Sequence, residues 1–361
     1  AASYVLRKEL ERKTKEGLLR PVTKEVKVGE KASVSELTIN GVIGFLLGFK
    51  LLLVILNYSD FVDNPQEFIL SGKGNLIGGI VGAAIAAYIK WKEKEKQRLP
   101  KPKIEKIQVQ PQDLVGNITM IAAVSGLIGA KIFHLLENPD EIPYMFSGGA
   151  AAFFSGLTMY GGLIFGAIAV LYYCKKQGFN ILHVMDAAAP ALMLAYGIGR
   201  LGCQLAGDGD WGIVNTLPKP EVLAFLPDWF WAYDYPHNVI NEGVPIPGCE
   251  GKYCTHLPQP VFPTPLYESI VSIGMFGLLW SIRKKINIAG KLFSIYLIFN
   301  GFERFWIEKI RVNSVYHIMD MEVTQAEIIS LILMIAGIAG LFYFNKQKDK
   351  NELQGTHPTS N

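Results

Sequence analysis

The sequence predicts an all-α fold, a polytopic integral membrane helical bundle with an outer-leaflet polar cavity and an external loop insertion. Three observations predict it. Half of the 361 residues are hydrophobic and 19% are charged, against about a quarter charged in soluble chains. Apolar runs of roughly spanning length recur eight times. The basic residues sort strongly to one side of those runs.

The runs are read in order at 41–56, 75–89, 114–136, 151–173, 185–200, 265–282, 291–307 and 325–344. The first is interrupted only by Lys50. The second is short and rich in Gly and Ala. The third carries Lys131 and His134 in its outer third, and the seventh carries Arg304 near one end. Residues 1–6 read as the tail of a further span, cut or processed upstream of Arg7 and Lys8. If successive runs alternate sides, one side receives 26 Lys and Arg and the other 5. The positive-inside rule makes the first side cytoplasmic and places the C-terminus there.

The net charge of +3 gives no support to nucleic-acid binding. The charged stretches 7–31 and 90–106 read as solvated cytoplasmic loops that touch anionic lipid. No internal duplication is visible, which counts against a transporter built from repeats. Cys249 and Cys254 fall in the long external loop, where an oxidising compartment would allow a disulfide. A metal site with His237 and His256 is the sharper alternative, but the spacing is not that of a zinc motif. Cys174 and Cys203 read as small buried hydrophobes.

Charge within a span is expensive, on the order of 2.5–3.5 kcal/mol for a central Arg, and so marks candidate function. Arg200 ends one run and Arg304 lies near the end of another, both on the external side. Extending the second helix places Glu308 and Arg311 on the stripe of Arg304, at i+4 and i+7, so that one carboxylate holds two guanidinium groups. Tyr267 opens the run 265–282 from the same side. Tyr160 lies beside Gly161 and Gly162. The stretch GIGRLGCQLAGDGDWG, 197–212, brings Arg200, Gln204, Asp208 and Asp210 within a few turns. Together these residues describe a cationic pocket at the outer leaflet, with Arg forks suited to a lipid phosphate. The plainer reading is a helix-end ion-pair network with Arg200 snorkelling to the interface. Lys131, His134 and Lys50 read as snorkelling or capping residues, and Gly161 and Gly162 equally as helix-packing contacts.

Five motifs in this order, LIGAKIFHLLE (127–137), MYGGLIFG (159–166), GIGRLGCQLAGDGDWG, FPTPLYE (262–268) and NGFERFWIEKIRVN (300–313), resemble the prolipoprotein diacylglyceryl transferase family. The resemblance implies transfer of the diacylglyceryl group of phosphatidylglycerol to the lipobox cysteine of a prolipoprotein signal peptide, with release of glycerol 1-phosphate. It implies a bacterial inner membrane protein, with membrane lipids around it and its site facing the periplasm. It carries catalytic roles to Arg200, Arg304, Glu308 and Tyr160. Phosphatidylglycerol binding falls to Arg200, Arg304, Arg311, Tyr267, Gly161, Gly162, Gln204 and Asp208. No cofactor or metal is required.

The departures are specific. Tyr160 stands where many members have a His proposed as the base, Asn300 where many have a Tyr, and Cys203 where the commonest form has an Asn. The acidic position of the Arg200 signature falls on Asp208 or Asp210. The family's first helix is missing, and residues 41–89 read as an inserted helical hairpin. The expected organisation is therefore a first-helix remnant over 1–6 and a cytoplasmic segment over 7–36. An inserted hairpin with its linker follows over 37–106. A transferase core over 107–345 carries the external loop 208–262, and a cytoplasmic tail covers 346–361. A lipid or anion transporter and a catalytically inactive phospholipid-binding member are the competing readings.

Overall fold

The computed structural model describes residues 1–63, 68, 71–143, 156–311, 315–318 and 321–355. The described residues are mostly helical. Five helical segments are long and apolar enough to cross a membrane: Val34–Leu56, Pro111–Glu137, Ile181–Ala206, Thr264–Lys285 and Gln325–Lys346. Three other expected spans are helical but fall short, because charge enters them. Leu76–Lys96 ends in a Lys and Glu run, Met159–Lys176 ends in two lysines, and Lys291–Glu308 contains Glu303, Arg304 and Glu308. The protein is a multi-pass, all-α membrane protein.

The chain forms two compact units, Ala1–Arg20 with Phe179–Asn361, and Pro21–Gly178.

The second unit contains β1 (Val22–Val28), α2 (Val34–Leu56), α3 (Leu76–Lys96), β2 (Lys103–Val109), α4 (Val115–Glu137) and α5 (Met159–Lys176). β1 and β2 were not expected, since their residues read as charged loop. They pair antiparallel from Val22 against Val109 to Val28 against Lys103, closing the hairpin α2–α3 at its base. Val22, Val26 and Val28 of β1 share one face at even spacing, but Ile104 and Ile107 of β2 stand three apart, so the strand period is broken in the sequence. α2 begins on a capping box between Ser33 and Glu36. α2 and α3 meet through glycines: a Cβ on Gly48 would lie 2.1 Å from the Gly78 carbonyl oxygen, and one on Gly44 2.3 Å from that of Gly82. Such small-residue contact lets two membrane helices pack backbone to backbone.

Lys50 caps this hairpin, donating to the carbonyls of Ser71 and Lys73 at 2.5 and 2.7 Å. Lys131 is 3% exposed, so it does not snorkel to the surface. His134 pairs with Glu141 at 2.8 Å. Residues 151–155 of the expected run 151–173 lie outside the described residues, and α5 begins only at Met159, after Gly156 with φ +58°.

The first unit contains α1 (Ala2–Lys15), α6 (Ile181–Ala206), α7 (Thr264–Ile282), α8 (Lys291–Glu308) and α9 (Gln325–Gly355). Two short ladders, β3 with β4 (Val244–Pro245, Thr255–His256) and β5 with β6 (Val315–Ile318, Met321–Thr324), lie in the connections. α1 runs through Arg7 and Lys8 without a break, and Val5, Leu6 and Leu10 are buried. α9 runs on to Gly355 through much of the expected tail, and residues 356–361 lie outside the described residues.

Ala189 and Met193 of α6, Leu279 of α7 and Leu292 of α8 form the buried core of this unit. Asp186, fully buried on α6, accepts the backbone N–H groups of Gly290 and Phe293, both at 2.9 Å, and so caps α8 from a neighbouring helix. Lys13 of α1 stands 3.7 Å from the same carboxylate. Burial pushes the Lys13 ammonium below its usual range, and the Asp186 charge opposes that shift. α6 stops at Gly207, which takes φ +61° and returns its N–H to the Cys203 carbonyl.

Candidate active site

Arg200 sits in the last two turns of α6, and Tyr196 precedes it by one turn on the same face. Glu268 lies in the second turn of α7, where it is the one charged residue of the helix. Arg304 and Glu308 occupy the last turns of α8. The helix ends at Glu308, so the stripe expected to continue to Arg311 is broken. Arg311 instead lies beyond the end of the helix, in an isolated bridge to Gly212. That bridge, with the Ile213 N–H on the Ile310 carbonyl at 2.9 Å, holds the loop after α6 against the end of α8.

The hub of these residues is Glu268, with 0% exposure. Arg200 Nη2 donates to Oε1 at 2.9 Å, and Arg311 Nη1 donates to the same oxygen at 3.1 Å. Oε2 accepts the Tyr196 hydroxyl at 2.6 Å, lies 2.6 Å from Arg200 Nε and 3.9 Å from Arg304 Nη1. Arg304 Nη2 lies 3.3 Å from Glu308. The shared carboxylate of the expected stripe was Glu308, but Arg200 and Arg311 share Glu268.

Asp210 is the second bridge. It accepts Arg311 Nη2 at 2.7 Å and also pairs with Arg200. Partial burial opposes ionisation of Asp210, yet the Arg200 hydrogen bond and the charges of Arg311 and Arg200 outweigh it and hold the carboxyl below its usual range. Thr264 fixes the loop by donating to the Asp210 carbonyl at 2.9 Å. Asp208 is exposed, and its carboxylate accepts the Asp210 amide at 3.4 Å.

A cavity of about 350 Å³ opens between α7 and α8. Val271, Phe302, Trp306 and Ile307 give it apolar walls, and Tyr267, Glu268 and Glu303 also line it. Phe302 and Trp306 are largely exposed at its side. In a membrane helix such exposed apolar side chains face acyl chains.

Of the sequence candidates, Arg200, Arg304, Arg311 and Glu308 converge here. Tyr267 lines the cavity and donates its hydroxyl to the Phe230 carbonyl at 2.8 Å. Gln204 accepts the Tyr235 hydroxyl at 2.6 Å and ties α6 to a small core of Trp211, Tyr235, Leu257 and Val261. Tyr160, half-buried, and Gly161 and Gly162 belong to the second unit, at the start of α5. A Cβ on Gly161 would lie 2.3 Å from the Gly129 carbonyl oxygen, and one on Gly162 3.2 Å from that of Gly126, so both glycines pack α5 on α4. Cys249 and Cys254 are joined in a disulfide, so they offer no thiolates to a metal.

Sequence reasoning missed Glu268, Tyr196 and Glu303, and left Asp210 undecided against Asp208. Glu268 had a signal, as the single charge in its helix beside Tyr267. Tyr196 had one too, four residues before Arg200.

A family model described as prolipoprotein diacylglyceryl transferase matches residues 97–343. A phosphatidylglycerol–prolipoprotein diacylglyceryl transferase of Staphylococcus carnosus (strain TM300) is 31% identical over 239 residues, covering 64% of this chain and 75% of that protein. Proteins of the same name from Staphylococcus haemolyticus (strain JCSC1435) and Staphylococcus aureus (strain Newman) are each 30% identical. They share 64% of this chain, with 73% and 74% of their own lengths covered.

Proposed function

The chain belongs to the prolipoprotein diacylglyceryl transferase family, and from that premise we propose that it moves the diacylglyceryl group of phosphatidylglycerol to a prolipoprotein. It is a transferase of lipoprotein biosynthesis. The acceptor is the thiol of a lipobox cysteine in a signal peptide, and the leaving group is glycerol 1-phosphate. The observation that carries the assignment to this site is the convergence of Arg200, Arg304 and Arg311 around Glu268, beside an apolar cavity.

Displacing a phosphate ester from the glyceryl carbon leaves charge on the departing phosphate. Arg200 and Arg304 stabilise it. A guanidinium carries five N–H donors in a fixed fork, so an arginine bound to carboxylates still has donors to give. The carboxylates hold the forks in place before substrate arrives, which removes reorganisation from the barrier. Glu308 orients Arg304. Arg311 completes the cationic wall, and Tyr267 shapes the cavity between α7 and α8. Asp208 and Gln204 support the lipid site through the backbone around it, whereas the roles of Tyr160, Gly161 and Gly162, residues of the second unit, are proposed from the family pattern alone. The acyl chains and the signal peptide both arrive from within the bilayer, and the gap beside Phe302 and Trp306 suits that route.

The 26-to-5 distribution of basic residues supports an inner-membrane location with the site on the periplasmic side. The Cys249–Cys254 disulfide, in the segment assigned to that side, supports the same orientation. Residues 37–106 are read as an insertion in the family plan.

The test is incubation of the purified full-length protein with phosphatidylglycerol and a lipobox peptide. Release of glycerol 1-phosphate that disappears in Arg200→Ala and Arg304→Ala is expected. Head-group binding without release would leave only a lipid-binding protein, and movement of lipid across a vesicle without release would make it a transporter.

A further inference from the structure

We infer that Glu303 is the proton acceptor for the attacking thiol, an assignment that rests on the transferase reading. A lipobox thiol has an ordinary pKa near 8.5, so it is mostly protonated at neutral pH and needs a base in reach. Glu303 is 5% exposed, and neither of its carboxylate oxygens has a hydrogen-bond donor among the described residues. Leaving a buried acceptor without a donor costs about 1–3 kcal/mol, and more for a charged group. A donor from outside the chain relieves that cost.

The place of Glu303 says which donor. Asp210, Glu268 and Glu308 are each paired with guanidinium groups. Glu303 stands among them, in the wall of the cavity between α7 and α8, with Val271, Phe302 and Trp306 around it. A thiol entering from the acyl phase needs one acceptor in an otherwise apolar wall. A glycerol head group brings two hydroxyls that such walls would desolvate, so it fits this surface less well.

The S–H bond breaks and its proton passes to a Glu303 oxygen. The sulfur electron pair forms the S–C bond to the glyceryl carbon. The bond from that carbon to the phosphate oxygen breaks, and its electron pair stays on the oxygen, facing the arginines. The proton then leaves with the glycerol phosphate, and Glu303 returns to its carboxylate form.

The test uses the full chain in phosphatidylglycerol vesicles with two lipobox peptides, one carrying cysteine and one selenocysteine at the acceptor position. A selenol is ionised at neutral pH without a base. Glu303→Gln is expected to lower kcat with the thiol peptide on the order of 10²-fold. Its KM for phosphatidylglycerol should stay as in the unaltered protein. Its rate should recover as the pH rises toward about 8.5, and with the selenol peptide it should work close to normally. Glu303→Asp should keep more activity than Glu303→Gln. An equal loss with both peptides overturns the assignment. So does a raised KM with kcat unchanged, which would mark a head-group acceptor, or a variant that no longer binds phosphatidylglycerol. If the unaltered protein releases no glycerol phosphate, the transferase reading fails instead.

Discussion

Arg200 and Arg311 donate to the same oxygen of Glu268, at 2.9 and 3.1 Å, although one lies in the last turns of a helix and the other follows a different one. Two like charges stand this close only because Glu268 and Asp210 lie between them. The arrangement makes the carboxylates as necessary as the guanidinium groups.

Removing Glu268 should therefore unfold the site as well as disable it. Breaking a buried ion network by deleting one partner costs about 3–5 kcal/mol. Glu268→Ala is expected to lower the thermal midpoint of the purified protein clearly more than Glu308→Ala, since the Glu268 carboxylate meets Arg200, Arg304 and Arg311 together. Equal midpoints would deny Glu268 its central place.

Arg304→Lys keeps the charge but loses the planar fork. If Arg304 binds the departing phosphate, kcat should fall on the order of 10²-fold, the scale of losing one charge-stabilising donor. Phosphatidylglycerol turnover by this variant measures it, and a rate near that of the unaltered protein would assign Arg304 a packing role.

The acid sensitivity of the network follows from Asp210. Its carboxyl is held below the ordinary value, about 3.9, by Arg200 and Arg311 against the effect of burial. A depressed folded value means that the stabilisation is present above the ordinary value and is lost as pH falls through the depressed one. The stability difference between the unaltered protein and Asp210→Asn should stay level from neutral pH to about 5 and shrink below about 4. Denaturation at a series of pH values tests this, and a difference that vanishes already near pH 6 contradicts it.

The hairpin α2–α3 depends on glycine. A methyl group on Gly48 meets the Gly78 carbonyl oxygen at 2.1 Å, so Gly48→Ala must push the helices apart. Faster proteolysis of residues 34–96 is expected, with little change in Gly41→Ala, where the nearest atom is 4.0 Å away. Matching proteolysis rates in the two variants would show that this contact carries no weight.

The Cys249–Cys254 disulfide closes a short loop, worth about 2 kcal/mol by chain entropy. The Cys249→Ser, Cys254→Ser double variant should exchange backbone hydrogens faster around Val244–Pro245 and Thr255–His256. Transfer activity should persist, since neither cysteine belongs to the arginine cluster. Loss of transfer in a folded double variant would place this loop in the substrate path.

What the sequence determined by itself is everything that depends on composition along one segment. Apolar run length set the membrane class, and the motifs around Arg200, Tyr267 and Arg304 set the family. Charge inside a span marked these arginines as expensive, and therefore as candidates. Tertiary structure decided the partners. Whether Arg311 shares a stripe with Glu308 turns on where α8 ends, and a helix end is a one-residue event that periodicity does not encode. Whether Asp210 or Asp208 meets Arg200 turns on the loop held by Gly212 and Thr264. Glu268 and Glu303 become hub and unpartnered carboxyl only through the rotation of α7 and α8 against α6. That rotation is set by packing of Met193, Leu279 and Leu292, contacts between segments that no single stretch of sequence displays. The strands Val22–Val28 and Lys103–Val109 were illegible for the same reason, because each is a strand only in the presence of the other.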